Sequence, residues 1–379
     1  MTREDACRER TEAAGQDHIF RFSDQLDEAG RERLFSQAEA LDFGLIAQLG
    51  KQLESRGAAA AQPAFAPPEL FPLERDEFRE QEALAASGAG ESALREGLVG
   101  YVLVAGGQGS RLGFEGPKGK FPVGPVSGCS LFEWHARRLV HARETYGSQI
   151  AWYIMTSGTN DAETQDFFRE HDHFGLGSEN VMFFQQAMLP ALDANGRILM
   201  TAKDELFLAP NGHGGTLAAL STSGCLADAE QRGIEVLSYF QVDNPLARPA
   251  DPLFLGLHVV EGASMSSKVV TKRDANEKVG VLGLADGVLG CIEYSDLSDE
   301  QRCATDADGQ LQFRAGNIAV HALERRFVSE LTEGGLKLPW HIAQKNLSAL
   351  DESGNSVSME GFKFETFVFD ALGQSPRSV

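Results

Sequence analysis

VLVAGGQGSRLGFEGPKGKFP, residues 102–122, is the stretch that decides the fold of this chain. Val102, Leu103 and Val104 form an apolar run with the length and composition of a buried strand. The run passes directly into Ala105-Gly106-Gly107-Gln108-Gly109-Ser110-Arg111, with three glycines in four positions. Glycine lets a ligand approach the main chain closely, and successive N–H groups of such a loop can converge on an anion. Arg111 and then Lys118, in Pro117-Lys118-Gly119, add fixed positive charge beside that nest. The sequence therefore predicts a strand followed by a cradle for phosphates.

Counting excludes the two commonest phosphate loops. A dinucleotide fingerprint starting at Gly107 and Gly109 requires its third glycine at position 112, which is Leu112. A P-loop ending at Gly119-Lys120 requires glycine at position 114 and a hydroxyl at 121, where the chain has Phe114 and Phe121. What remains, G-G-x-G-[ST]-R-L-G followed by P-K, resembles the loop of nucleotidyltransferases that join nucleoside triphosphates to sugar phosphates.

From residue 98 onward apolar runs at 101–105, 150–156, 181–184, 235–242, 254–260 and 268–271 are separated by helical patterns such as 130–145 and 216–232. This alternation predicts an α/β architecture with a mostly parallel sheet and ligands at the carboxyl ends of its strands. Gly106 and Asp243 both follow such runs, so a shared site is expected there. Before residue 98 the pattern is helical. Ile19, Phe20, Leu26, Leu34, Phe35, Leu41, Leu45, Ile46, Leu49 and Leu53 recur among charged residues, a Pro- and Ala-rich connector spans 57–72, and a further helix is expected over 74–96. The expected organisation is a helical N-terminal region (1–97), a catalytic domain (98–371) and a short, frayed C-terminal tail (372–379).

Lys and Arg total 34 against 55 Asp and Glu, and a net charge of −21 argues against a nucleic-acid partner. Cys7, Cys129, Cys225, Cys291 and Cys303 are scattered without metal-ligand spacing, as in a reduced protein. The charged N-terminus lacks an apolar signal core, and no run is long enough to span a membrane, so a cytoplasmic location is expected.

Beyond the loop, the blocks FFQQAMLPAL (183–192), APNGHGG (209–215), QVDNPLARPADPLFLG (241–256) and KVVTKRDANEKVGVL (268–282) stand in order. CIEYSDL (291–297), FRAGNIAVHAL (313–323), LPWHIAQK (338–345) and GFKFETFVFD (361–370) follow. With these blocks the chain resembles the eukaryotic-type UDP-sugar pyrophosphorylases, most of all those acting on UDP-N-acetylhexosamines. The resemblance implies a Rossmann-like nucleotidyltransferase fold, a mixed sheet flanked by helices. It also implies a uridylyltransferase that uses UTP and a sugar 1-phosphate, with N-acetylglucosamine 1-phosphate as first expectation. Glucose 1-phosphate or a broad range of sugars is the alternative within the class. A nucleotide-sugar-binding protein without turnover is the alternative outside it, since the family generally continues into a further C-terminal domain that is expected to be missing here.

The chemistry accounts for the residue types. A sugar 1-phosphate is already ionised and needs no general base, so the protein must align two polyanions and neutralise developing charge. Arg111 and Lys118 suit that role, while Val104, Ala105, Gly106 and Gly107 line the UTP and the N–H nest takes its β- and γ-phosphates. Asp243 ends an apolar run, where a carboxylate is either a Mg²⁺ ligand or a strand-end cap, and the resemblance implies Mg²⁺. It further implies that Gln186 and Gly212 face the uracil and that Glu293, Tyr294 and Asn317 face the sugar. Lys345 is implied at the phosphates of UTP, and Lys363 at the phosphates and the sugar. One position departs from the hexosamine pattern. His213 stands where those enzymes typically carry asparagine and the glucose enzymes carry histidine, which makes His213 a candidate for sugar choice.

Overall fold

The computed structural model describes residues 2–56 and 63–379, so residues 57–62 of the expected connector lie outside the described residues. Packing groups the chain into two compact units that cross the contiguous segments named above. One comprises Met1–Ala61, Ala187–Gly212 and Pro339–Thr366, the other Gln62–Gln186, His213–Leu338 and Phe367–Val379.

In chain order, the larger unit carries β1 (Phe65–Ala66), α1 (Glu77–Arg95), β2 (Val99–Val104), α2 (Leu131–Tyr146), β3 (Trp152–Thr156), α3 (Asp161–Glu170) and β4 (Val181–Gln185). After these come α4 (Gly215–Thr222), α5 (Cys225–Gln231), β5 (Val236–Gln241), α6 (Pro252–Val260) and β6 (Met265–Thr271). The unit ends with β7 (Val281–Ala285), β8 (Val288–Ile292), β9 (Ala315–Glu324) and α7 (Arg325–Thr332). Among the described residues, nine strands form one mixed sheet in the order β1-β7-β9-β5-β2-β3-β4, with β6 paired to β9 and β8 to β7. The four strands β5, β2, β3 and β4 run parallel. The other half, joined through the antiparallel β9–β5 pair, is antiparallel. The parallel strands β2, β3 and β5 are buried on both faces, as helices on either side require. Trp152, Tyr101, Tyr153, Tyr239 and Phe240 are fully buried there, each contributing about 1.5–3 kcal/mol of apolar burial.

Local signals explain the helix limits. The Ser130 side chain caps α2 by accepting from Glu133 N–H, and Gly147 ends the helix at φ 73°. The run 254–260, expected as a strand, is helical instead. Asp251 caps it and Pro252 occupies its first turn, a start signal that outweighs the unbroken apolar composition. This helix crosses α1 backbone to backbone. A Cβ on Gly256 would lie 1.7 Å from Ala86 O, and one on Gly90 would lie 1.9 Å from Pro252 O. The helix expected over 216–232 is broken at Gly224 (φ 84°) into α4 and α5. The last residues are not frayed: Ser264 N–H donates to Arg377 O and Ser267 N–H to Val379 O, both at 2.9 Å.

In the smaller unit, helices Arg3–Ala13, Glu28–Glu39 and Phe43–Glu54 enclose a core of Ile19, Phe20, Leu34, Phe35, Leu49, Leu192, Ile198, Phe362 and Phe364. Gln16 secures the 187–212 segment by donating to Gly196 O and accepting from Ile198 N–H, each at 2.9 Å. An antiparallel hairpin, His341–Leu350 with Ser356–Glu365, completes the unit.

Candidate active site

The carboxyl ends of the four parallel strands bring together segments that are far apart in the sequence. Val104 ends β2 and opens the glycine loop, Thr156 ends β3, Gln185 ends β4, and Gln241 ends β5 two residues before Asp243. At Ala105 the main chain is buried, and from Gly106 it emerges. Among the described residues, the N–H groups of Gly106, Gly107 and Gln108 donate to no protein acceptor. Neither Gly106 nor Gly107 has a positive φ. A Cβ at either would meet protein only at ordinary contact distance, 3.4 Å and 3.7 Å. Packing therefore does not demand glycine at these two positions. The arrangement suits an incoming anion.

The rest of the loop is held by packing. Gly109 N–H donates to Gly116 O at 2.9 Å, and a Cβ on Gly109 would press on Phe114 at 2.8 Å. The 118–120 turn lies directly on α2, since a Cβ on Gly119 would fall 2.1 Å from the Phe132 ring. This fixes the base of Lys118, whose Nζ donates to Asp243 Oδ2 at 2.8 Å, with side-chain exposures of 20% and 45%. Lys120 turns the other way, to Glu163 at 2.7 Å and over the Phe167 ring. Arg111 is exposed and forms no ion pair among the described residues.

Asp243 sits on a loop tied to α2. His135 Nε2–H donates to Val242 O at 3.0 Å, and Trp134 Nε1–H donates to Pro245 O at 2.7 Å. Burial keeps His135 neutral, its pKa pushed down to about 4. No cluster of three or more His, Cys, Asp or Glu suited to a metal occurs among the described residues. A lone, half-exposed carboxylate beside open phosphate donors does fit magnesium, which keeps much of its water and binds through one or two carboxylates plus substrate phosphates.

Gln186 lies beside the loop: its N–H donates to Thr156 O at 2.9 Å, and its Oε1 is 3.4 Å from the position of a Gly106 Cβ. At the antiparallel end of the sheet, Glu293 and Tyr294 follow β8, and Asn317 sits in β9. Asn317 N–H donates to Gly280 O at 2.9 Å. A β-bulge there puts Ala319 at φ 51°, and Asn317 Oδ1 accepts Ala319 N–H at 2.9 Å. The Asn317 Nδ2 faces Cys291 Sγ at 3.8 Å. A Cβ on Gly280 would lie 2.8 Å from Cys291 Sγ and 3.4 Å from Glu293 Oε1, so these four residues adjoin. Burial, then the Glu293 charge, pushes the Cys291 thiol up to about 12 and leaves it inert as a nucleophile.

His213 is anchored. Its Nδ1 accepts Val368 N–H at 3.2 Å, and its ring lies against Phe367 and Phe369, with centroids at 5.2 and 5.6 Å. Three expected residues belong to the smaller unit. Gly212 has φ 81° and passes so close to Thr366 that a Cβ would lie 2.3 Å from its carbonyl oxygen, so only glycine fits. Lys345 and Lys363 stand diagonally on one face of the hairpin, opposite Gly361 and Ala343, and Lys363 Nζ lies over the Phe207 ring. Asn160, not singled out by sequence, binds both Ala105 O and Gly107 O. Its only signal was a polar run, Thr156 to Asn160, at the end of an apolar strand.

The family model for UTP–glucose-1-phosphate uridylyltransferase matches residues 54–367. The chain is 36% identical to the human UDP-N-acetylhexosamine pyrophosphorylase-like protein 1, over 98% of this chain and 77% of that one. It is 38% identical to the UDP-N-acetylglucosamine pyrophosphorylase of Saccharomyces cerevisiae, over 76% of this chain and 62% of that one. The structure of the Trypanosoma brucei uridine diphosphate N-acetylglucosamine pyrophosphorylase superposes with TM-score 0.83 at 31% identity, covering 98% of this chain and 75% of the other. A UDP-glucose pyrophosphorylase from Leishmania major, at 17% identity and TM-score 0.70 over 94% and 74% of the chains, shares the fold.

Proposed function

The chain belongs to the UTP–glucose-1-phosphate uridylyltransferase family, and from that membership we propose that it joins UTP to N-acetylglucosamine 1-phosphate, forming UDP-N-acetylglucosamine and releasing pyrophosphate. The observation that carries this reading is the pairing of three open loop N–H groups with Lys118 and Asp243 at the ends of adjacent parallel strands. The amino sugar is favoured because relatives named for it reach 40% identity, whereas the UDP-glucose enzymes stand at 17–19%.

A phosphate oxygen of the sugar 1-phosphate attacks the α-phosphorus of UTP. The new P–O bond forms as the bond from that phosphorus to the α,β-bridging oxygen breaks, and pyrophosphate carries the electron pair away. The Gly106, Gly107 and Gln108 N–H groups hold the β- and γ-phosphates. Lys118 and Arg111 offset the charge that grows on the non-bridging oxygens. Asp243 would hold Mg²⁺, which supplies charge neutralisation across the phosphates when bound. Gln186 and Gly212 read the uracil, where an amide offers a donor and an acceptor in one group. Glu293, Tyr294 and Asn317 take the sugar. The Ala319 N–H donated to Asn317 Oδ1 fixes the orientation of that amide. Lys345 and Lys363 neutralise phosphate, and His213 tunes the choice of sugar.

We place the activity in the cytoplasm, with no nucleic-acid or membrane partner. The five free cysteines and the net charge of −21 support this, and no helix among the described residues is long and apolar enough to cross a membrane. Pyrophosphate release from UTP, Mg²⁺ and a panel of sugar 1-phosphates tests the proposal. N-acetylglucosamine 1-phosphate is expected to give the highest kcat/KM, and no release with any sugar would refute the enzyme.

A further inference from the structure

Asn160 lies in the turn between β3 and α3 and is 1% exposed, so it touches no substrate. Its carboxamide is nevertheless fully used. Nδ2 donates to Ala105 O at 2.9 Å and to Gly107 O at 3.4 Å, and Oδ1 accepts Ser157 N–H at 2.8 Å and Ser157 Oγ–H at 3.1 Å. The Lys118 N–H adds a second donor to Gly107 O at 3.0 Å. No peptide bond here is cis, and in a planar trans peptide the C=O and the following N–H point in opposite directions. Holding Ala105 O inward therefore turns Gly106 N–H outward, and holding Gly107 O inward turns Gln108 N–H outward. Both outward groups are among the open donors of the cradle.

We propose that Asn160 is a positioning residue for the nucleotide's terminal phosphates, setting the two loop peptides so that Gly106 and Gln108 present their N–H groups to the β- and γ-phosphate oxygens. The role rests on the uridylyltransferase reading. An unpinned loop rich in glycine has many backbone states, and each peptide that flips replaces a donor with a carbonyl oxygen facing an anion. Asparagine suits the task because its donor and acceptor lie on one rigid group, with the Ser157 bonds orienting the amide.

Asn160→Asp is the sharpest test. It keeps the shape and the acceptor toward Ser157, but sets a carboxylate oxygen against two carbonyl oxygens. Binding of UTP, pyrophosphate and UMP is measured by calorimetry with Mg²⁺ present, alongside steady-state kinetics and thermal unfolding. UTP and pyrophosphate binding should weaken about 10- to 100-fold, as expected for losing hydrogen bonds to charged oxygens. UMP, which lacks the terminal phosphates, should change by less than about threefold, and KM for the sugar 1-phosphate should hold within about twofold. Asn160→Ser, which retains a small donor, should give the same selective pattern at smaller amplitude and serves if the aspartate variant does not fold. Wild-type protein that prefers UTP to UMP, with variants that keep that preference or weaken both nucleotides alike, overturns the role of Asn160 alone. Wild-type protein that shows no preference for UTP overturns the uridylyltransferase reading and this role with it.

Discussion

Replacing Lys118 with alanine separates chemistry from stability. Its ammonium sits 2.8 Å from Asp243 Oδ2 on a turn fixed against Phe132. At an effective dielectric of about 20 the bare attraction at that distance is about 6 kcal/mol. Both groups reach solvent, however, and measured pairs of this kind are worth about 0.2–1 kcal/mol. The variant should therefore stay folded, with a thermal midpoint close to wild type. In the proposed reaction the same ammonium would meet charge that is larger in the transition state than in bound UTP, and losing one such donor costs about 100- to 1,000-fold in kcat. The assay is pyrophosphate release at saturating UTP, Mg²⁺ and N-acetylglucosamine 1-phosphate, with a melting curve on the same sample. Lys118→Arg should recover only part of the rate, because a planar fork does not replace a compact ammonium. Folded Lys118→Ala protein within about threefold of wild type would refute the assignment, since that lies far below the expected loss.

Activity should vanish in EDTA and return with Mg²⁺, and Asp243→Asn should raise the Mg²⁺ concentration needed for half-maximal rate; full turnover in EDTA would remove the metal from the mechanism. His213→Asn should shift kcat/KM toward N-acetylglucosamine 1-phosphate over glucose 1-phosphate by roughly 2- to 13-fold, the value of one hydrogen bond. An unchanged ratio would mean that His213 serves only to hold Val368 N–H and the flanking phenylalanines. Gly256→Ala, whose Cβ would lie 1.7 Å from Ala86 O, should lower stability by about 1–3 kcal/mol in urea unfolding, and an unchanged midpoint would contradict the tight crossing. Burial holds His258 neutral, its pKa pushed down to about 4 against an unfolded value of about 6.5. The unfolded chain therefore takes up this proton first, so this contribution is intact above about pH 6.5 and is lost as pH falls toward 4, by up to about 1.4 kcal/mol per pH unit. Melting curves from pH 7 to 5 should fall less steeply in His258→Gln, and equal slopes would refute the sign.

What could be read from the sequence follows from the range of the interactions involved. The strand at 99–104, the loop after it and Asp243 beyond the β5 strand were legible because a buried parallel strand and a glycine turn are written locally. The 254–260 helix was misread for a local reason too: composition outweighed Asp251 and Pro252, although its start signal lay in plain view. Other features had no local record. The antiparallel half of the sheet depends on β9 pairing with β5 across residues 236–324, and the C-terminal residues are tied to β6 by bonds spanning more than a hundred positions. The smaller unit gathers three separate segments through contacts such as Gln16 with Gly196 and Leu192 with Phe362. Asn160 belongs to the same class. The polar run Thr156 to Asn160 does not single it out, since its partners at 105 and 107 are main-chain carbonyls whose direction depends on the folded loop. Motif chemistry singled out Arg111, Lys118 and Asp243 as candidates, whereas Glu293, Lys345 and Lys363 came only from the resemblance to the family. The groups that aim backbone donors at the same ligand emerge only once the strands are in register, because a carbonyl has no side chain to announce it.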